Sequence, residues 1–147
     1  MSDAERDRLL SAARDAAERA YCRYSQFRVG AAVLTEDGSI FTGCNVENAS
    51  FGLGMCAERV AVFSAVAAGH RKLRRIAVSC PDANPQSSES FQMPCGACRQ
   101  VIAEFGDLGL IVHIDRVGDA TLRELLPRPF KFDEKLAELS DASPKTT

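Results

Sequence analysis

The segment Cys56–Ala68 constrains the fold more than any other part of the sequence. Its composition predicts a helix that Gly69 ends, because glycine readily adopts the left-handed conformation that follows a helix. The segment is apolar on nearly every face, so other elements must cover it from several sides, within a protein or an assembly. Its only charged residues are Glu58 and Arg59, both in the first turn. A carboxylate is costly to bury unless it is paired or used, so Glu58 is a candidate functional residue.

Strands and helices alternate along the rest of the chain. The predicted elements are a helix from a capping box at Ser2 and Glu5 to about Tyr21, strands Val29–Leu34 and Ile40–Cys44, helix Cys56–Ala68, strand Ile76–Cys80, helix Gly96–Phe105, strand Leu110–Asp115 and a short helix from Thr121 to Pro127. Two long polar loops, Asn45–Met55 and Asp82–Met93, interrupt this series. Strands that alternate with helices after an initial hairpin predict an α/β fold, with a mixed sheet covered by helices on both faces.

The length and charge of the chain limit its class. A chain of 147 residues suits one domain, 1–140, with residues 141–147 as a flexible tail. The net charge is −2 and no basic stripe occurs, so a nucleic-acid partner is not expected. The N-terminus is charged where a signal peptide would be apolar, and the apolar run Val60–Ala68 is too short to span a bilayer. We therefore expect a cytoplasmic protein without a membrane partner.

The cysteines point to a metal site. The chain has six, and in a reducing compartment clustered cysteines indicate metal binding or catalysis rather than disulfides. Cys95 and Cys98 begin one predicted helix, with a spacing that places both sulfurs on one side, and Cys56 begins another. An ion beyond the two helix ends would contact all three thiolates and keep a fourth position open, which is the layout of a catalytic zinc site.

The net charge of such a cluster suggests functions for the groups around it. Three thiolates overcompensate the charge of one Zn²⁺ ion, which weakens the pull of the metal on a water molecule. The positive ends of the two helices oppose this effect and favour thiolates over thiols. Arg59 is placed to donate hydrogen bonds to the sulfurs. Glu58 is then the candidate base for the water and the candidate acid for the leaving amine.

Other interpretations of these residues remain open at this point. A closed structural zinc site would need a fourth ligand, for which Cys44, Cys80 and His70 are candidates. A Cys-x-x-Cys pair alone also fits a redox role or chance spacing, and Glu58 would then be a solvated acid at a helix start. A non-catalytic scaffold stabilised by zinc is the corresponding alternative function.

Two motifs resemble those of a known family. Cys56-Ala-Glu58, followed by Pro94-Cys-Gly-Ala-Cys98, resembles the signature of the zinc nucleoside deaminases. The chain is similar to the small cytidine deaminases over about residues 5–130, in the stretches 24–32, 43–50, 56–59, 94–100 and 124–127. The resemblance implies a three-layer α/β/α sandwich around a five-stranded mixed sheet. It also implies one Zn²⁺ per subunit and a homotetramer whose active sites are completed across subunits.

The same resemblance implies roles for particular residues. Asn45 and Glu47 would bind the ribose hydroxyl, and Phe27 would pack against the base. The backbone near Ala57 would help to read the pyrimidine, and Phe130 would reach in from a neighbouring subunit. Without the resemblance, the two phenylalanines would be interpreted as core residues, and Asn45 and Glu47 as turn residues.

Two features depart from the family pattern, although the implied reaction is unchanged. Phe51 stands where the family usually has tyrosine, so this candidate substrate-binding residue lacks a hydroxyl that could reach the 5′ end of a nucleoside. The loop Asp82–Met93 is longer than expected before Pro-Cys-Gly, which affects access to the site. The implied reaction is hydrolysis of cytidine and 2′-deoxycytidine to uridine and 2′-deoxyuridine with release of ammonia, as in pyrimidine salvage.

Two related activities are alternatives. A deaminase of the blasticidin S type shares the zinc residues, but the Asn-Val-Glu-Asn-Ala stretch and Arg59 favour cytidine. A polynucleotide editor would need a basic groove lined with aromatic residues, which the acidic composition disfavours.

Overall fold

The computed structural model describes residues 3–132. Its elements are α1 (Asp3–Ala17), β1 (Gly30–Thr35), β2 (Ile40–Cys44), α2 (Ala57–Ala67), β3 (Leu73–Ser79), α3 (Gly96–Phe105), β4 (Ile111–Ile114), β5 (Gly118–Thr121) and α4 (Leu122–Leu125). Short 3₁₀ helices, Phe51–Leu53 and Glu89–Gln92, lie within the two predicted loops. The predicted capping residue Ser2, the domain limit at 140 and the tail 141–147 lie outside the described residues. Within them, no helix is long and apolar enough to cross a membrane.

The five strands form one mixed sheet in the order β2-β1-β3-β4-β5. β3 and β4 are parallel, and the other neighbours are antiparallel. The predicted mixed sheet is therefore confirmed, and its fifth strand is the element that the sequence pattern did not indicate. The sequence of β5, Gly-Asp-Ala-Thr, has no alternation of large apolar residues, and glycine and aspartate are depleted in strands. Backbone pairing with β4 forms this strand despite its weak local preference.

Helices cover both faces of the sheet, which confirms the three layers. Every residue of β1 is buried, as expected for a central strand covered on both sides. Alternate residues of β1 enter two separate cores, since successive side chains point to opposite faces. The core under α1 contains Leu9, Leu10, Ala13, Ala32, Leu34 and Ala77. The core under α2 and α3 includes Ala31, Val33, Ala61, Val78 and Ile102.

Two glycines allow the helices to touch the sheet directly. A Cβ atom on Gly43 of β2 would lie 2.4 Å from the backbone nitrogen of Ala61 and 2.7 Å from the backbone oxygen of Ala57, both in α2. A Cβ atom on Gly30 of β1 would lie 1.9 Å from the backbone oxygen of Ala13 in α1. Backbone atoms cannot swing aside as a side chain can. The contact at Gly43 therefore fixes the first half of α2 on the sheet.

The first helix ends earlier than predicted, at Ala17 rather than about Tyr21. The backbone N–H groups of residues 18–20 bond to carbonyls three residues back, which is the tighter 3₁₀ pattern common at helix ends. Tyr21 then pairs with another segment: its nitrogen donates to the oxygen of Asn45 at 3.0 Å, and its oxygen accepts from the nitrogen of Glu47 at 2.8 Å. This tertiary pairing replaces the last helical turn.

Candidate active site

Three cysteine thiols meet where α2 and α3 begin. Cys56 is the N-cap residue of α2, Cys95 is the N-cap residue of α3, and Cys98 lies buried in the first turn of α3. The sulfur of Cys95 is 3.9 Å from that of Cys56 and 3.5 Å from that of Cys98, and all three lie within 4.8 Å of one another. Ligands at ~2.3 Å from zinc in a tetrahedron lie about 3.8 Å apart. The sulfurs therefore have the spacing of a zinc site with three protein ligands.

Helix ends and one arginine favour negative charge on these sulfurs. Neither Cys56 nor Cys95 makes a side-chain cap hydrogen bond, and the positive ends of both helices lie at the cluster. Nη2 of Arg59 donates to Sγ of Cys56 at 3.3 Å. Hydrogen bonds from Cys98 and Arg59 lower the pKa of Cys56 to about 5, against the effect of burial. The same bond to Cys56, followed by burial, raises the pKa of Cys98. Metal binding to cysteine releases the thiol proton.

The carboxyl group of Glu58 lies buried beside the thiols. Its side chain is in the first turn of α2, and the residue is 5% exposed. Burial, followed by the charge on Cys56, raises the pKa of Glu58 to about 7. A carboxyl group with a pKa near neutrality can both accept and release a proton under physiological conditions. The arrangement therefore places an acid–base group next to a metal site.

A cavity of about 770 Å³ opens onto Glu58, Cys56 and Cys95. Its volume is in the range of sites that bind small organic molecules. The residues of its wall that the sequence analysis names as substrate-binding candidates are Phe27, Asn45, Glu47, Phe51 and Ala57. The structure thus brings five of the six candidates together with the metal cluster, and Phe130 is not on the wall of this cavity.

Asn45 and Glu47 hold one wall of the cavity in place. Nδ2 of Asn45 donates to the oxygen of Phe27 at 2.8 Å, and its Oδ1 accepts from the nitrogen of Val29 at 2.9 Å. Glu47 accepts hydrogen bonds from the hydroxyl and the backbone nitrogen of Ser25. These bonds lower the pKa of Glu47, so it is ionised at neutral pH. Both residues therefore shape the turn that carries Phe27 while also facing the cavity.

Phe130 lies on the surface of its own chain, where it is 76% exposed. Its backbone is fixed by Gln100 of α3: Nε2 of Gln100 donates to the oxygen of Phe130 at 2.8 Å, and its Oε1 accepts from the nitrogen of Phe130 at 3.3 Å. The aromatic ring is thereby presented outward from a fixed backbone. Gln100 belongs to the Pro-Cys-Gly-Ala-Cys-Arg-Gln stretch, but its pairing with Phe130 has no local signal in the sequence.

Among the described residues, none of the candidate fourth ligands, Cys44, Cys80 and His70, joins the three thiols. Within residues 3–132, the group that could hold a metal contains Cys56, Cys95 and Cys98 alone. The thiol of Cys44 donates to the backbone oxygen of Arg19, and the ring of His70 lies 3.7 Å from Asp37. The described part of the chain therefore offers no support for a closed four-ligand site.

The cavity wall also contains residues that the sequence does not mark as candidates for substrate binding. Cys80 is buried at the end of β3, and burial raises the pKa of its thiol to about 12, so the thiol stays neutral. The end of the long loop also reaches the wall, just before Cys95. The further lining residues are Ser25, Val29, Val46, Gly54, Met55, Arg59, Val78, Phe91, Gln92 and Met93.

Comparisons with known proteins agree with this geometry. A family model described as the cytidine and deoxycytidylate deaminase zinc-binding region matches residues 3–114. The cytidine deaminase of Sporosarcina psychrophila is 41% identical over 132 residues, which are 87% of this chain and 93% of that relative. The cytidine deaminase of Mycobacterium tuberculosis H37Rv is 42% identical over 134 residues, covering 91% of this chain and 96% of its own.

Solved structures give the same result. The crystal structure of the cytidine deaminase from Burkholderia pseudomallei has a TM-score of 0.73 and 46% identity, covering 84% of this chain and 98% of that one. The enzyme from Mycobacterium tuberculosis has a TM-score of 0.74 and 40% identity, covering 86% and 97%. The site and these similarities define a zinc-dependent hydrolase. The chain belongs to the cytidine and deoxycytidylate deaminase family, and its cofactor is Zn²⁺.

Proposed function

We propose that this protein hydrolyses free cytidine and 2′-deoxycytidine to uridine and 2′-deoxyuridine, with release of ammonia. The observation that carries the proposal is the buried carboxyl group of Glu58, with its pKa raised to about 7, beside three thiols at one cavity. The relatives described above are named cytidine deaminases, which supports cytosine as the base. A role in pyrimidine salvage and a cytoplasmic location follow as parts of the same proposal.

Proton transfer by Glu58 is the central step of this reaction. Hydrolytic deamination removes a proton from the attacking water and delivers one to the departing amine. Glu58 is the candidate for both transfers, since a pKa near neutrality suits alternate roles as base and acid. A zinc ion held by Cys56, Cys95 and Cys98 would supply Lewis acidity toward the attacking water. Arg59 supports the site by holding the sulfur of Cys56.

The cavity offers separate groups for the base and the sugar. Phe27 and the backbone at Ala57 lie on its wall, and an aromatic ring with nearby backbone polar groups suits a pyrimidine. The side-chain amide of Asn45 has two donor hydrogens. One donates to the backbone oxygen of Phe27, and the other can donate to a sugar hydroxyl. The Glu47 carboxylate has lone pairs beyond those that Tyr24 and Ser25 use. We assign these two residues to the sugar.

Phe51 contributes exposed apolar surface to the wall of the cavity. It also lines a smaller depression of about 350 Å³ together with Tyr24 and Glu47. The rings of Tyr24 and Phe51 pack edge to face, with centroids 5.9 Å apart and planes at 67°. Tyr24 therefore brings a phenol group to the region where Phe51 has no hydroxyl. This supports binding of the sugar end there without a tyrosine at residue 51.

Self-association is a further part of the proposal. Several large apolar side chains are more than two-thirds exposed: Phe51 (78%), Leu53 (71%), Phe91 (72%), Phe130 (76%) and Phe132 (69%). Large exposed apolar surfaces commonly mark protein contacts. Because Gln100 fixes the backbone of Phe130, a homotetramer in which Phe130 enters a neighbour's cavity would need little reordering. Sedimentation analysis would give a tetramer mass if the proposal is right and a monomer mass if it is wrong.

An ultraviolet assay tests the reaction. Purified protein with measured zinc content is incubated with cytidine or 2′-deoxycytidine, and conversion to the uracil nucleoside is followed. The Glu58→Gln variant is expected to keep its zinc and to lose about 10²–10⁴-fold in kcat, the usual contribution of general acid–base catalysis. The matched control is Glu104→Gln, which removes an exposed carboxylate from α3. Equal rates for both variants would contradict the role given to Glu58.

Related substrates decide between the alternatives. If zinc-loaded protein does not act on either cytosine nucleoside but does act on blasticidin S, the protein is a deaminase of the blasticidin S type. Activity confined to single-stranded polynucleotides would indicate an editor. If Cys98→Ser retains stoichiometric zinc and the full rate, the assignment of the metal ligands is wrong.

A further inference from the structure

Arg28 lies between two residues of the cavity wall, Phe27 and Val29. Its backbone nitrogen and part of its guanidinium group meet the carboxylate of Asp82. The backbone nitrogen and Nε of Arg28 each donate to Oδ2 of Asp82 at 2.9 Å, and Nη2 donates to Oδ1 at 2.8 Å. The Asp82 side chain therefore binds both the backbone and the guanidinium group of Arg28. The guanidinium contact is bidentate, which fixes its geometry.

Asp82 also begins a second segment that reaches the cavity. It is the first residue of the segment 82–93, and the last residues of this segment, 91–93, line the cavity next to Pro94 and Cys95. Arg28 extends the connection to α1, since its Nη1 donates to both carboxylate oxygens of Glu18 at 3.0 Å. The pair thus joins the turn before β1, the segment after β3 and the end of α1.

Asn45 and Asp82 hold consecutive backbone groups of the wall that carries Phe27. The side chain of Asn45 donates to the backbone oxygen of Phe27 and accepts from the backbone nitrogen of Val29. The Asp82 carboxylate accepts from the backbone nitrogen of Arg28, which lies between them. Consecutive backbone polar groups are therefore held from both sides. Loss of Asp82 would free the middle of this run and the start of the segment 82–93 together.

We propose that Arg28 and Asp82 are positioning residues that set the distance between the two walls of the substrate cavity. The pair connects the segment that carries Phe27 to the segment whose last residues, 91–93, also line the cavity, and it thereby determines how closely the cavity fits the base. This rests on the proposed function of the cavity. The pair contacts neither the thiols nor Glu58, so its effect falls on binding rather than on the chemical step.

Steady-state kinetics on zinc-loaded protein test the proposal. Asp82→Ala is expected to raise the KM for cytidine about tenfold and to leave kcat and zinc content within about twofold, because lost uniform binding raises KM alone. Asp82→Asn keeps the shape of the side chain and should behave similarly, since the charge is gone. Arg28→Ala should add little in the Asp82→Ala background, because both variants remove the same contact.

The matched control is Arg74→Ala. It breaks a comparably exposed ion pair, at 2.9 Å from Glu5, between α1 and β3 and away from the cavity. This variant should leave KM unchanged. A KM of Asp82→Ala within twofold of wild type, an equal rise in Arg74→Ala, or a rise that follows loss of zinc would each overturn the proposal.

Hydrogen exchange supplies a readout that does not depend on activity. In Asp82→Ala, amides of residues 27–29 and of residues 83–93 should exchange faster together, whereas Arg74→Ala should change neither set. Faster exchange confined to residues 83–93 would refute the connection between the walls. If the wild-type protein does not act on cytidine but both sets loosen together, the proposed substrate is wrong and the connection between the walls stands.

Discussion

Gly43→Ala is expected to displace the helix that carries the acid–base group. The added Cβ atom would lie 2.4 Å from the backbone nitrogen of Ala61, whereas ordinary contacts begin at 3.4 Å. The atoms that it meets belong mainly to the backbone of α2, so the helix itself must move by about 1 Å to restore normal contact. Overpacking of this kind costs about 1–3 kcal/mol of the free energy of unfolding.

The same displacement predicts a kinetic effect. Cys56 and Glu58 flank Ala57, whose backbone oxygen is part of the contact with Gly43, so both move with the helix. A misplacement of about 1 Å in catalytic groups can reduce the rate about 10²-fold. We therefore expect a loss of that order in kcat for cytidine, together with weaker retention of zinc.

A glycine on the other face of the sheet provides the matched control. Gly30→Ala produces an overlap at least as severe, 1.9 Å from Ala13, but with α1, which carries neither a thiol nor Glu58. Urea unfolding should show a loss of stability in both variants, whereas kcat should fall far more in Gly43→Ala. Wild-type stability and rate in Gly43→Ala, or equal rate losses in the two variants, would refute the reasoning.

Three further predictions concern charge. Arg59→Gln should lower zinc affinity about 10–100-fold in competition with a chelator, because it removes the donor to Cys56, and Arg59→Lys should lower it less. The folded pKa of Glu58, about 7, exceeds the unfolded value of 4.5, so the stability of the wild-type protein falls as pH rises between these values. In urea unfolding at pH 8, metal-free Glu58→Gln should therefore have a free energy of unfolding about 3 kcal/mol above that of the metal-free wild type. No gain at pH 8 would contradict this. Asp115→Asn should lose about 2 kcal/mol at pH 7. Arg14, at 2.7 Å, lowers the pKa of Asp115, so its contribution is complete above the unfolded pKa and is lost as pH falls through the folded pKa. A difference that persists unchanged to pH 2 would count against that ion pair.

Local signals explain what could be predicted from the sequence. Cys95 and Cys98 are separated by one helical turn, so their proximity follows from helix geometry alone. Gly-ended helices and apolar strands gave most of the elements, and the capping box at Thr121 is confirmed by its two reciprocal bonds with Glu124. The proximity of Cys56 to Cys95 is not local, but the sequence still predicts it, because two helices that begin with thiols and one acid in an apolar helix together indicate a metal site.

Features that depend on distant pairing left no comparable signal. β5 forms through hydrogen bonds to β4, although its own residues disfavour a strand. The last turn of α1 is replaced by the pairing of Tyr21 with Asn45 and Glu47, which no property of the helix sequence reveals. Arg28 and Asp82 are 54 positions apart in the sequence. Each residue alone has the pattern of an ordinary exposed charge, so the sequence does not predict that they pair.

The positions of Cys56 and Cys95 have a consequence for the unfolded chain as well. The two thiols are 39 residues apart in sequence and belong to different helices. An ion bound to both thiols acts as a cross-link. Closing a loop of this length by a permanent bond lowers the conformational entropy of the unfolded state, which corresponds to a free energy of about 4 kcal/mol at room temperature. Unlike a disulfide, this cross-link is compatible with a reducing compartment and can be removed by a chelator. The residues that we propose as ligands would therefore also tie two distant parts of the chain together reversibly.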